Sequence, residues 1–181
     1  MSASLAQTPR SERGNSATGP EYRDWLRVKA VSSDAAFAEY VSDLAFPFHL
    51  REAERFVNQH GSALVLEPRG HAKTTLFIHR VARLVGATEG RVRIIVLTSV
   101  QEDAEDRSKA VRDLVETSRF AEVFPWAHRG VRGREWNDKS WTIGGNEAML
   151  GKDSTCRALG LLSARAGPRA DIMLADDMVR M

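Results

Sequence analysis

Glu67-Pro68-Arg69-Gly70-His71-Ala72-Lys73-Thr74-Thr75-Leu76 is the stretch that decides how this 181-residue chain is read. An apolar run, Ala63-Leu64-Val65-Leu66, precedes it, and a second, Leu76-Phe77-Ile78, overlaps its end and continues it. The order is a strand, a tight polar loop ending in Lys-Thr, then a helix. That layout suits a phosphate-binding loop, in which backbone N–H groups and a helix N-terminus surround a polyphosphate. Against the pattern G-x-x-x-x-G-K-[ST], Glu67 takes the place of the first glycine and Ala72 that of the second. Gly70 allows the backbone to wrap a phosphate, and Ala72 adds only one methyl to the close approach. On this reading Lys73 reaches the β and γ phosphates and Thr74 offers its hydroxyl to Mg²⁺, with Thr75 beside it. Arg69 stabilises charge on the γ-phosphate, and His71 donates to it. Strand–loop–helix units with Lys-Thr at the helix start also occur without a ligand, and Arg69 and His71 read equally as surface residues.

The second motif lies far downstream. Ile172-Met173-Leu174-Ala175 is an apolar strand ending in Asp176-Asp177. A strand that ends beside a phosphate loop can place one carboxylate on the metal and its neighbour on the attacking water. Asp176 is the metal candidate and Asp177 the water-activating one. Alone, Asp-Asp also reads as a strand ending in a turn; the two strand-end motifs support each other.

Working outward, Glu21 to Leu44 is helical in pattern. Asp34 is expected to cap a segment in which Phe37, Tyr40, Val41 and Leu44 repeat at helical spacing. A helix from His49 to Gln59 should end at Gly61, Leu64–Glu67 should form the first buried strand, and Thr74–Leu84 the next helix. Arg93–Thr98 reads as a second buried strand, and Ser99 with Glu102 as a capping box opening another helix. This alternation predicts an α/β fold with a mostly parallel sheet flanked by helices. Phe124-Pro125-Trp126 reads as a loop anchor and Arg129, Arg132 and Arg134 as a small basic stretch. Trp141–Ile143 and Cys156–Leu159 read as strands, antiparallel to each other.

The length fits one domain. A net charge of +2 does not by itself point to nucleic acid. The single cysteine excludes an intramolecular disulfide and a cysteine-based zinc site. No apolar run approaches the roughly 18 residues a membrane span needs. Residues 1–20, rich in Ser, Ala, Gly and Arg, read as a disordered tail rather than a signal sequence.

Pro68-Arg69-Gly70-His71-Ala72-Lys73-Thr74-Thr75, followed by Gly167-Pro168-Arg169-Ala170-Asp171 and the Asp176-Asp177 strand, resembles the large terminase subunits of tailed phages. Phe48-His49 and Trp136-Asn137 resemble the family too, and the likeness runs over roughly residues 45–178, tight in the two motifs and loose between them. Loops of that family often lack the first glycine and carry an arginine in register with Arg69. The resemblance implies a P-loop NTPase domain over residues 21–181. Its implied cofactors are ATP and Mg²⁺, and its implied work is translocation of double-stranded DNA into a procapsid in the cytoplasm of the bacterial host. Portal and small terminase subunit are the implied partners, and a ring of identical subunits the implied assembly. By the same analogy Arg69 is a cis sensor or finger, Asp176 the metal-side acid, and Asp177 fills a catalytic position often held by Glu. Arg165 or Arg169 would serve a neighbouring subunit, or pair with Asp171, or face solvent. His49 or Gln59 would hold the adenine edge, or lie on a helix surface. A helicase-like P-loop translocase and a catalytically inactive module that docks on DNA or on other packaging proteins are the alternative readings.

Members of that family continue into a coupling motif and a nuclease domain with metal-binding carboxylates, so the sheet is expected to be incomplete at its C-terminal end. The 181 residues are expected to lack nuclease activity: incubation of the pure chain and duplex DNA with Mg²⁺ or Mn²⁺ should leave the DNA intact.

Overall fold

The computed structural model describes residues 19–66, 68, 70–129, 132–144, 150–162 and 169–178. Helices α1 (Pro20–Ala30), α2 (Asp34–Ser42), α3 (Phe48–Gln59) and α4 (Lys73–Ala87) come first. Strand β1 (Ile94–Thr98) leads into α5 (Gln101–Val115), α6 (Ser118–Val123) and a 3₁₀ turn, Pro125–Arg129. Strands β2 (Arg132–Trp136), β3 (Ser140–Ile143), β4 (Cys156–Gly160) and β5 (Ile172–Ala175) complete the sheet. The expected tail, residues 1–20, lies outside the described residues except at its end, where Pro20 already opens α1, a first-turn position that suits a residue without an N–H.

The five strands run in the order β2-β3-β4-β1-β5. β1 pairs in parallel with β4 and with β5, while β3 is antiparallel to both β2 and β4. The α/β class expected from the alternation is present, but the sheet is mixed: only β4, β1 and β5 are parallel. Asn137 makes the sharp return from β2 to β3, its Oδ1 accepting from the Lys139 and Ser140 N–H groups at 3.0 and 2.9 Å. The expected antiparallel partnership of Trp141–Ile143 with Cys156–Leu159 is found, with Trp141 opposite Cys156. Arg132 and Arg134, read as a basic stretch, belong to β2; Arg132 pairs with Glu116 at 3.1 Å.

The expected first strand is not formed. Ala63–Leu66 joins no ladder, Glu67 lies outside the described residues, and Leu64 and Leu66 are 76% and 82% exposed. Only Val65 packs, against the small cluster of Ala38, Phe46, Leu50, Ala53 and Leu76. The run holds a single β-branched residue and meets Pro68, which has no N–H for a ladder.

Two expected caps also move. Ser33, not Asp34, caps α2, its hydroxyl accepting from Ala36 N–H at 3.3 Å. Val100 stands at the N-cap of α5, without a side-chain cap, and the Ser99 hydroxyl finds no partner, so the Ser99–Glu102 box does not form. Gln101 does the joining there: its Oε1 accepts from Gly160 N–H at 2.8 Å and its Nε2 donates to the Ala158 carbonyl at 3.3 Å. That approach needs a glycine, since a Cβ on residue 160 would lie 2.5 Å from the Gln101 nitrogen.

Asp34 is fully buried and bridges α2 to α4. Its Oδ2 accepts from Arg80 Nη1 at 2.7 Å and its Oδ1 from Arg83 Nε. Glu54 of α3, 8% exposed, accepts from the Asp34 and Ala35 N–H groups at 2.7 and 3.0 Å, a carboxylate on the positive end of α2. His79 of α4 sits between Phe37 and Phe46. Its Nδ1–H donates to the Thr75 carbonyl at 2.8 Å and its Nε2 accepts from the Ser42 hydroxyl at 2.9 Å. Burial holds its pKa below the ordinary value, which keeps it neutral for that arrangement.

The main core joins α4 (Phe77, Val81, Val85), β1 (Ile94, Val96), α5 (Val111, Val115), Phe120, Phe124 and the fully buried Trp141. The expected Phe124–Trp126 anchor is present: Phe124 is 4% exposed and Trp126 Nε1 donates to the Gly86 carbonyl at 3.1 Å. A Cβ on Gly86 would fall 2.2 Å from two atoms of the Phe124 ring. Gly86→Ala is therefore expected to destabilise by about 1–3 kcal/mol despite the better helix propensity of alanine, read as a lower urea midpoint with an unchanged m-value.

At the start of β5, Asp171 pairs with Arg93 (Nη2–Oδ1 2.6 Å, Nε–Oδ2 3.0 Å) and accepts from the Arg93 backbone N–H at 2.9 Å. The guanidinium lowers the Asp171 pKa from 3.8 to about 2. A carboxylate depressed in the folded state contributes stability above its unfolded value and loses it as pH falls. Urea midpoints of the wild type should therefore drop between pH 3.8 and about 2, and Asp171→Asn should flatten that part of the profile.

Candidate functional site

β4, β1 and β5 run the same way, so Gly160, Thr98 and Ala175 end on one edge of the sheet. In open α/β sheets, ligands gather at the carboxyl ends of parallel strands. Asp176, the first residue past β5, is fixed there by its N–H to the Leu97 carbonyl at 2.9 Å, and is 7% exposed. Asp177 follows in left-handed backbone, φ 47°, with an exposed side chain.

The loop before α4 meets this edge. Gly70 has φ +80°, a conformation that favours glycine, and the space around it is open. Ala72 is the N-cap of α4 and is also left-handed, φ 57° and ψ 27°. Ala72 offers α4 no side-chain cap. Gly70, His71 and Ala72 are exposed, while Lys73, Thr74 and Thr75 are half-buried. Lys73 curls over the loop, its Nζ 3.5 Å from the Pro68 carbonyl. His49 supports the loop from α3: its Nε2 donates to the His71 carbonyl at 3.2 Å and the two rings lie 5.4 Å apart.

Thr74 closes the connection. Its Oγ1 donates to Asp176 Oδ2 at 2.8 Å across 102 positions of sequence. The two motifs singled out in the sequence thus touch through a hydroxyl and a carboxylate. Both are hard oxygen donors, the kind Mg²⁺ takes alongside waters and phosphate oxygens. Among the described residues no group of three or more His, Cys, Asp or Glu is gathered as a metal site, so an all-protein cage is not what these residues offer.

Sequence reading missed Arg107. It reaches in from α5, with Nε 3.3 Å from Asp176 Oδ2 and Nη2 3.4 Å from Asp177 Oδ2. The available signal was its place on the helix: it lies one turn from Ala104 and from Val111, both fully buried, a charge inside an apolar stripe. Of the other expected residues, Arg69 and Arg165 lie outside the described residues, as do Gly167 and Pro168. Arg169 is exposed, and Asp171 takes Arg93 as its partner. Gln59 sits at the far end of α3 from His49, on the order of 15 Å along the axis, so the two do not share a site. A cavity of about 410 Å³ lined by Tyr22, Arg23, Leu26, Glu39, Tyr40 and Asp43 contains no residue of either motif. Its polar groups serve each other, Tyr22 donating to Glu39 at 2.6 Å.

No protein-family model, curated protein or solved structure matches the chain.

Proposed function

We propose that the chain is a P-loop ATPase unit of a DNA-packaging motor of the large terminase type. The observation that carries the ATPase part is the 2.8 Å contact of Thr74 with Asp176, made between the two motifs that nucleotide chemistry requires together. In this reading the polyphosphate lies on the α4 N-terminus, within the turn of Gly70, His71 and Ala72, and meets the first N–H groups of the helix. Lys73 swings from the Pro68 carbonyl to the β and γ phosphates. Thr74 and Asp176 fit Mg²⁺ as one hydroxyl and one carboxylate, and the ion would supply charge neutralisation at the phosphates when bound. Asp177, exposed beside Asp176, holds the attacking water and accepts its proton. Arg69 acts on γ-phosphate charge from inside the loop, and Thr75 completes the helix start.

What supports the finer assignment is the sequence of the two motifs: an arginine-bearing loop without its first glycine, paired with a strand ending in adjacent aspartates. Double-stranded DNA is then the translocated substrate, portal and small terminase subunit are the partners, and a homo-oligomeric ring is the working form.

Calorimetric titration of the pure chain with ATP and Mg²⁺ tests the nucleotide site. Lys73→Ala should abolish the binding seen with the wild type; an unchanged affinity overturns the assignment.

A further inference from the structure

Arg107 spans the acidic end of β5. One guanidinium faces Asp176 through Nε at 3.3 Å and Asp177 through Nη2 at 3.4 Å. Its third nitrogen, Nη1, returns to the Asp103 carbonyl of its own helix at 3.4 Å. The side chain is only 19% exposed. Asp176 Oδ2 is shared, since the Thr74 hydroxyl donates to that same oxygen at 2.8 Å. A divalent ion taking Thr74 and Asp176 as donors would need lone pairs that the guanidinium now faces. It would also meet the positive charge of the guanidinium. The contacts are long for charge-assisted hydrogen bonds, which usually lie at about 2.7–2.9 Å. Arg107 is thus held by charge more than by tight directional bonds, the condition for ready exchange.

We propose that Arg107 is a displaceable counter-cation of the Asp176–Asp177 pair: it holds the two carboxylates together and must leave Asp176 when a divalent metal binds. The proposal rests on the reading of Thr74 and Asp176 as metal donors. It makes Arg107 a positioning residue that opposes metal entry, and it ties occupancy of the site to α5, the helix that follows β1. Asp177, already exposed, loses its counter-cation in the same step.

The test is Mn²⁺ binding to the full 181-residue chain without nucleotide, read from the electron paramagnetic resonance signal of free Mn²⁺. Arg107→Gln should bind Mn²⁺ at least fivefold more tightly than the wild type, and adding Asp176→Asn should remove the gain. Arg107→Lys keeps the charge but cannot span both carboxylates, and should bind at least twofold more tightly; it serves if the glutamine variant does not fold. Arg112→Gln, on the same helix, removes the same charge from its pair with Asp138 in the turn between β2 and β3 and should leave the affinity unchanged. Equal or weaker Mn²⁺ binding in the folded Arg107 variants, no measurable binding in any of them, or an equal gain in Arg112→Gln overturns the proposal. Because the titration contains no nucleotide, such a failure leaves the Lys73 test of ATP binding standing, and a failure of that test leaves the Mn²⁺ result standing.

Discussion

The carboxylate of Asp34, closed off from solvent, fixes where α4 lies, and the candidate site follows from it. Two arginines of α4 converge on this one group, while Glu54 of α3 holds the backbone from which it projects. Removing one partner of such a buried pair leaves the other charged and unsolvated, a loss of about 3–5 kcal/mol. A rotation of α4 that took Arg83 away from Asp34 meets the same penalty. Helix α4 is therefore locked in rotation by charge as well as by Val81 and Val85 in the core, and its first turn is delivered to the edge where β1, β4 and β5 end.

At that edge the backbone carries strain that the rest of the fold tolerates. Ala72 and Asp177 both adopt left-handed conformations, one before α4 and one after β5. For a residue with a Cβ this costs roughly 1–2 kcal/mol, somewhat less for aspartate. Among the described residues the other two non-glycine positions at positive φ, Asp43 and Glu89, follow the ends of helices, where that conformation is common. The pair at the site is different: Ala72 immediately precedes the helix that carries Thr74, and Asp177 immediately follows Asp176. Charge there is arranged in alternation: Lys73 over the loop, Thr74 and Asp176 in contact, Arg107 against the aspartates.

The elements legible in the sequence were those whose signal is local. β1 and β5 read as short apolar runs, α4 as a periodic helix behind a turn-forming loop, and Asp176-Asp177 as acids after a strand. β3 and β4 were legible as a pair, and Phe124 and Trp126 as an anchor. What failed depended on distant partners. Asp34 looked like a cap because nothing near it in sequence announces Arg80, Arg83 or Glu54. Ser99 and Glu102 matched a capping box, but the start of α5 is set by Gln101 meeting β4. The run Ala63–Leu66 is apolar enough for a buried strand, yet packing takes only Val65. Arg107 was passed over because a helix arginine is ordinarily a solvated one; its place in the apolar stripe hints at burial, but only the fold brings β5 beside it.

The buried thiol of Cys156 has a consequence for the chemistry open to this molecule. It is the only sulfhydryl in the chain, fully enclosed beside Ser108 and Trp141, and burial pushes its pKa up to about 12. A group held in that form is a poor nucleophile toward alkylating reagents and disulfides. The native surface is consequently silent to thiol chemistry among the described residues. A cysteine introduced at an exposed position such as 71 or 177 would react alone, and a spectroscopic label attached there would report on the loop or the strand end without interference.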